Sequence, residues 1–504
     1  MSKSTKTGNT RSHLARLQEM RGFGGAALTT GLADDVILEF LDEHRRLGVA
    51  IERAYARFDE LRRSHADYLT LDESDQIKQA QAGLTNFYAE DAVNPYVAAS
   101  ASGPWVVSLK GAVIYDCGGY GMLGLGHAPE SVQEALNQPH VMANIMTANL
   151  SQVEFIKSLR REIGHTRKGG TPYASFLCLN SGSEAMSIAS RIADINTRTF
   201  TDPGARYEGC EVHGLTLKGS FHGRTDRPAR FSHSTSKKYG KHLASYRDDS
   251  YLLTVEPNNI EALEGMFSRA TKEGFFIEAF FMEPVMGEGN PGLAIEPDFY
   301  VRARELTREH GSMLVVDSIQ AGLRAHGVLS IVDYPGFREL DAPDMESYSK
   351  ALNAGQFPLS VLALSERAAA TYKHGLYGNT MTTNPRALDV AVAVLSSFTP
   401  ELRENIRKRG QELVTGLAAL ADEMDDGITA TQGTGLLVSC ELASRYKCHG
   451  ANSTEDYLRK NGLGVIHGGQ HSLRYTPVFD IGEKEVKLII ELTKDALLNG
   501  PTVR

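Results

Sequence analysis

Nowhere does this chain run together the roughly twenty apolar residues that a membrane-crossing helix needs, so no helical span is expected. Cysteine is scarce and scattered. Cys117, Cys178, Cys210, Cys440 and Cys448 are odd in number and form no C-x-x-C pair, which argues against a disulfide scaffold or zinc site and for reduced thiols in a cytoplasmic protein. No dense basic run occurs, and the net charge is −9, which speaks against a nucleic-acid partner. The histidines suggest no metal site, and no internal repeat or low-complexity tract stands out. Acid is missing from the first residues: none precedes Glu19, while Met1 to Lys6 are basic and hydroxylated. That pattern suits an organelle transit segment, but the weak apolar face favours a disordered tail.

What is present describes a soluble globular protein, with 41% hydrophobic and 23% charged residues. At 504 residues it is too long for one simple core and should divide into domains. Residues 1–94 read as a helical extension that packs on another surface, with one long amphipathic helix over 32–63 (apolar at Ile37, Leu41, Leu47, Ile51, Phe58 and Leu61) and a second near 76–88. Residues 95–150 hold a β-hairpin turning at Lys110-Gly111 and a linker, the first part of a smaller domain. A large α/β domain with a mainly parallel sheet is expected over 151–375, with strands at 175–179, 213–218, 276–283, 313–317 and 359–363. A smaller α/β domain is expected over 376–504, ending in a strand at 472–475 and a helix at 483–498.

The strand Met313-Leu314-Val315-Val316-Asp317 is apolar until its last residue. Such a run is a buried parallel strand, so Asp317 emerges at the carboxyl edge of the sheet, where α/β proteins keep their ligands. A buried carboxylate needs a cationic partner. Lys350, closing Glu346-Ser347-Tyr348-Ser349-Lys350, needs in turn a reason to be desolvated. Pyridoxal phosphate answers both needs, because a carboxylate keeps its ring nitrogen protonated and a lysine condenses with its aldehyde. Other segments could complete such a site. Asn180-Ser181-Gly182-Ser183-Glu184-Ala185 lies between a strand and a helix, where exposed N–H groups and the helix dipole attract an anion; a plain serine cap is the alternative. Gly219-Ser220-Phe221-His222-Gly223-Arg224 offers an aromatic face and a guanidinium, or merely a core Phe beside a surface Arg. The strand end at Glu283 to Gly289 makes a site wall. Gly119-Tyr120-Gly121-Met122-Leu123-Gly124 matches G-x-G-x-x-G, but no acid for a ribose follows at the right distance, and a nicotinamide site is rejected.

Taken together, these residues resemble the class III pyridoxal-phosphate aminotransferases, the fold-type I group with ornithine, acetylornithine, lysine-ε and 4-aminobutyrate transaminases. The matching pieces are Gly126-His127-Ala128-Pro129, Asn180 to Ala185, Phe221-His222-Gly223-Arg224-Thr225, Glu283-Pro284-Val285-Met286-Gly287-Glu288, Asp317-Ser318-Ile319-Gln320-Ala321-Gly322, Ser349-Lys350-Ala351-Leu352, Gly378-Asn379-Thr380 with Asn384-Pro385, and Leu473-Arg474-Tyr475-Thr476-Pro477. Their order is the family's, over residues 95–500. The resemblance implies Lys350 as the Schiff-base lysine and proton shuttle, and Asp317 as partner of the ring nitrogen. It places Gln320 at the ring hydroxyl, Phe221 with His222 at the ring, and Ser181, Gly182 and Ser183 at the phosphate. Thr380 would reach the phosphate of the neighbouring subunit in a homodimer or larger homo-oligomer. Arg224 would grip an α-carboxylate, and Glu288 would mask Arg474 when a substrate lacks a carboxylate there. The implied reaction moves an amino group from an amino acid or ω-amino donor to a keto acid, 2-oxoglutarate. The rival with the same cofactor is a racemase, epimerase or decarboxylase of this fold. Several positions depart from the family pattern: Ser318 replaces a usual Glu, the segment 322–327 differs, Gln356 replaces a glycine, and Thr382-Thr383 stands where two glycines are common.

Overall fold

The computed structural model describes residues 3–89, 92–141, 145–248, 250–424 and 426–503, with side chains from residue 10 onward. The extension is helical: α1 (Lys3–Arg21), α2 (Asp34–Leu41), α3 (Arg45–Ser64), α4 (Ala66–Leu69) and α5 (Glu73–Gln81). The tail expected at Met1 to Lys6 begins outside the described residues, and α1 packs on α3 further along: Leu17 and Met20 are buried, His13 Nε2 lies 3.1 Å from Glu52 Oε1 of α3, and Arg62 donates to Glu19. Two expectations are corrected. Few apolar anchors suffice because polar pairs to α3 supply the rest. The single helix expected over 32–63 is two, broken at Asp42 to His44, where His44 leaves helical geometry (φ −110°, ψ 89°). The break brings Phe40 and His44 together on Trp105, at ring separations of 5.1 and 5.8 Å, and this aromatic burial outweighs the continuous helical pattern. The helix expected near 76–88 ends at Gln81, before Gly83 (φ +84°).

Among the described residues three sheets organise the rest. In the first, β1 (Ala98–Ser102), β2 (Trp105–Ser108) and β3 (Val113–Asp116) form the expected hairpin with one extra strand, the pairs running from Trp105 opposite Tyr115 to Val107 opposite Val113. After α6 (Glu130–Leu136) and α7 (Leu150–Glu162) comes the large sheet: β4 (Ser175–Leu179), then α8 (Gly182–Thr201), β5 (Val212–Leu217), β6 (Leu252–Val255), β7 (Phe276–Met282), β8 (Met313–Asp317), β9 (Met345–Tyr348) and β10 (Ser360–Leu364). The order is β4-β10-β9-β8-β7-β5-β6, and β10 alone runs against its neighbours. β6 and β9 were not expected from the sequence. The third sheet, in order β11 (Ile428–Thr434), β12 (Leu437–Leu442), β15 (Ser472–Tyr475) and β14 (Ile466–Gly468), is antiparallel, while the short β13 (Leu463–Gly464) runs parallel to β3 and ties the first sheet to the chain's far end.

Every residue of β7 and β8 is buried, the pattern of central parallel strands covered by helices on both faces. α8 lays Ala185, Met186, Ile188, Ala189 and Ile192 on one face of the large sheet. Its amino end therefore sits beside the carboxyl ends of the strands, next to Asp317.

Candidate active site

A cavity of about 410 Å³ opens at that edge. β8 delivers Asp317, the turn after it Gln320, the start of α8 Ser181, Gly182 and Ser183, the loop after β5 Phe221 and His222, and the loop after β9 Lys350. The expected cofactor-site residues thus converge on one cavity, Thr380 excepted.

Asp317 is held from three sides. Its Oδ2 lies 2.9 Å from His222 Nδ1, and its Oδ1 accepts from the Ile319 N–H (3.1 Å) and the Ser347 hydroxyl (3.3 Å). His222 Nε2 is 3.1 Å from the Thr216 hydroxyl, so both ring nitrogens are engaged and the imidazole is fixed. Gly223 (φ +115°) lets the chain pass so near α8 that a Cβ there would lie 2.5 Å from Ser183 Oγ. Ser181 caps α8, accepting from Glu184 N–H at 3.3 Å, but is itself exposed. Gly287 is required for contact: a Cβ on it would lie 1.6 Å from Gln320 Oε1.

Lys350 has a left-handed φ of +48°, a conformation costing a non-glycine residue about 1–3 kcal/mol and typical of functional loops. Its amine has neither a hydrogen bond nor an ion pair among the described residues. Burial, then the Arg474 charge, brings it down to about 8, against the pull of Glu288, Asp317 and Glu283.

Glu283, expected as part of a site wall but given no role of its own, lines the cavity. Its oxygens accept from the Phe221 N–H (3.1 Å) and the Gly287 N–H (3.0 Å). Burial pushes its carboxyl up to about 7; Asp317 adds to the rise and His222 opposes it. An acid directly after an apolar strand was the available signal, the same one that singled out Asp317. Tyr120 was also missed, hidden in the rejected glycine motif: its carbonyl accepts from Gln320 Nε2 at 3.3 Å, and its ring lies 5.8 Å from the Arg474 guanidinium carbon.

The expected substrate residues are not among those lining the cavity but neighbour residues that do. Arg474 is fully buried and donates from Nη1 to Glu288 Oε2 (3.0 Å), Gln320 Oε1 (3.3 Å) and the Gly287 carbonyl. Burial works to raise the Glu288 carboxyl, but Arg474 and then Lys350 outweigh it and hold it below the ordinary range. Arg224 is exposed, its guanidinium carbon 5.3 Å from the Phe221 ring. Thr380 is exposed and lines a different cavity, of about 590 Å³. His467 and His471 do have the four-residue spacing of a ligand pair, which the expectation of no metal site overlooks. They are engaged elsewhere, His467 with Glu455 (2.9 Å) and His471 with the Ala443 carbonyl (3.2 Å), and among the described residues no group of three or more His, Cys, Asp or Glu could hold a metal ion.

Solved structures share this architecture. The ornithine aminotransferase of Toxoplasma gondii, with pyridoxal phosphate at partial occupancy in its own active site, superposes with a TM-score of 0.70 at 24% identity, covering 84% of this chain and 94% of that one. In sequence, an acetylornithine aminotransferase of Neisseria meningitidis is 29% identical over 399 residues, 78% of this chain and 92% of that protein. Ornithine aminotransferase 2 of Staphylococcus aureus is 27% identical over 425 residues, 81% and 96% of the two chains. The family model described as "Aminotransferase class-III" matches residues 87–497. With a match over most of its length and an aspartate–lysine cavity at the sheet edge, the chain belongs to the class-III aminotransferases, enzymes that move an amino group to a keto acid.

Proposed function

We propose that this aminotransferase works with pyridoxal phosphate in the Lys350 cavity, taking the amino group of an amino acid or ω-amine donor and passing it to 2-oxoglutarate. One observation carries the reading: an amine lining the cavity, brought by burial down to about 8, with neither a hydrogen bond nor an ion pair among the described residues. A desolvated lysine of this kind is suited to condense with an aldehyde. The surroundings fit the rest of the group. Asp317, steadied by His222, presents a carboxylate for a ring nitrogen; the start of α8, with Gly182 and Ser183, presents N–H groups for a phosphate; Phe221 offers a flat face and Gln320 an amide. When bound, the cofactor supplies an electron-accepting ring for the charge left by proton removal. Lys350 is the group placed to lift and return that proton.

Two alternating substrates call for a charge that can be shown or hidden. The Glu288–Arg474 pair supplies it: paired, it suits a donor without a carboxylate at that point; opened, it frees Arg474 for the distal carboxylate of 2-oxoglutarate. Arg224, already beside Phe221, is placed for the α-carboxylate. A panel of amino acids and diamines with 2-oxoglutarate should yield glutamate, and Glu288→Ala should shift kcat/KM toward glutamate over the ω-amine by about tenfold, one opened charge pair's worth. An amino acid that inverts or loses carbon dioxide while no glutamate forms would sink the reading.

The same reading makes the active unit a dimer. Ile145, Met146, Leu150 and Met381 are 64%, 88%, 81% and 58% exposed on and around the cavity that Thr380 lines, an apolar surface of the kind a partner covers. A second copy there would bring Thr380 to its neighbour's phosphate. Light scattering should give twice the chain mass, and Met146→Glu should lower both mass and activity. A fully active monomer would exclude the shared site.

A further inference from the structure

Two segments given to phosphates in the reading above, one for the chain's own cofactor and one for its neighbour's, are fastened together by a single carboxylate. Glu184 is the third residue of α8, and side chains on a helix lean back toward its start. Its Oε2 accepts from the Asn180 N–H (2.7 Å) and its Oε1 from the Asn379 side-chain amide (2.9 Å). Asn180 lines the Lys350 cavity with Ser181, Gly182 and Ser183, whereas Asn379 lines the other cavity with Thr380. Asn379 in turn shapes its loop. Its Oδ1 accepts from the Met381 N–H (3.0 Å), and its carbonyl accepts from the N–H (3.2 Å) and the hydroxyl (2.9 Å) of Thr382. These bonds close a turn around Thr380. With the amide oxygen engaged by Met381 and the amide nitrogen by Glu184, the Asn379 side chain has one orientation. Arg191, further along α8, donates to the Leu376 carbonyl near the beginning of the same loop.

A loop held in place before its ligand arrives has already lost the freedom that binding would otherwise take from it. We propose that Glu184 is a positioning residue acting in two subunits at once: it steadies the turn that takes its own chain's cofactor phosphate, and through Asn379 it holds Thr380 ready for the phosphate of the partner's cofactor. This rests on the shared-site reading above, in which a two-fold dimer makes each chain both giver and receiver. A plain capping glutamate, which serves only the start of its own helix, accounts for the bond to Asn180 but not for the bond to Asn379. A second contact across the two segments belongs to the sheet side, where the Ser360 hydroxyl donates to the Ser181 carbonyl (2.7 Å). The turn is therefore gripped from both flanks, and only the Glu184 flank leads on to Thr380.

Mixed dimers separate the two directions. One chain carries Lys350→Ala, which removes its own attachment point, together with a second substitution; the other chain is unsubstituted and reports. Two affinity tags isolate the mixed species, pyridoxal phosphate is titrated in and fixed with borohydride, and only label at the intact Lys350 is counted. The concentration giving half-maximal label should rise about tenfold when the silent chain carries Glu184→Gln, Asn379→Ala or Thr380→Ala, the scale of one hydrogen bond to a charged group. Gln keeps an oxygen for the Asn180 N–H but turns an amide nitrogen toward that of Asn379, and Asn379→Ala leaves α8 intact, so neither variant depends on a damaged helix start. An effect of Thr380→Ala without one from Glu184→Gln or Asn379→Ala overturns the positioning role and leaves the shared site standing. An effect of Glu184→Gln confined to the reporting chain makes the residue a helix cap and also overturns the proposal. If Thr380→Ala itself changes nothing, or no mixed dimer can be recovered, the shared-site reading fails first and the role of Glu184 with it.

Discussion

Lys350→Ala protein is expected to fold, to bind pyridoxal phosphate without retaining it after borohydride treatment, and to lose at least ~10⁴-fold in turnover, the scale of a positioned proton-transfer group alone. The fold should survive because the amine makes neither a hydrogen bond nor an ion pair among the described residues that its loss would orphan. In the unsubstituted protein stripped of cofactor, the rate of aldehyde capture should rise with pH and level off near 8, since the neutral amine is the nucleophile and burial brings it down to about 8. An ordinary lysine, at 10.5, would still be gaining reactivity two units higher. Covalent label recovered at another lysine, or turnover retained by the variant, would remove Lys350 from its role.

Asp317→Asn is expected to lower kcat/KM by roughly 10²–10³-fold, the usual cost of removing one preorganised charge from a reacting centre. Asparagine keeps the shape and an acceptor for Ile319 and Ser347, so the loss reports the charge. Asp317→Ala is the less informative variant, because His222 and Ser347 would be left buried and unpaired at about 1–3 kcal/mol each. Single-turnover kinetics with one donor decides the matter: a variant within a factor of two of the parent would mean that the ring nitrogen is held by some other group.

The residues proposed to carry this chemistry were legible because each sits at the end of a local pattern. β4 and β8 match their expected bounds and β5, β7 and β10 fall within a residue of theirs, since long apolar runs bounded by turns have one stable reading. β9 escaped because Glu346 and Ser347 are polar. It is buried only because Glu346 accepts from the hydroxyls of Ser318 (2.6 Å) and Tyr173 (2.6 Å), from Ser330 and from the Ile331 N–H (2.9 Å), while burial raises its carboxyl. Ser318, a departure from the family pattern, thus turns out to be a donor to an acid on the neighbouring strand. The break at His44 and the packing of α1 escaped for a related reason. Both depend on contacts with Trp105 and α3, and no window along the chain contains both partners.

By itself the sequence determined the α/β class, the strand that ends in Asp317 and the serine-glycine turn before α8, because these follow from apolar periodicity and from residues a few positions apart. Only the tertiary structure decided that burial lowers the Lys350 amine, that Glu283 accepts from Phe221 and Gly287 inside the cavity, that Arg474 is already spoken for by Glu288, and that Thr380 lines another cavity. Desolvation and charge pairing arise where segments hundreds of residues apart meet, and that meeting is a property of packing.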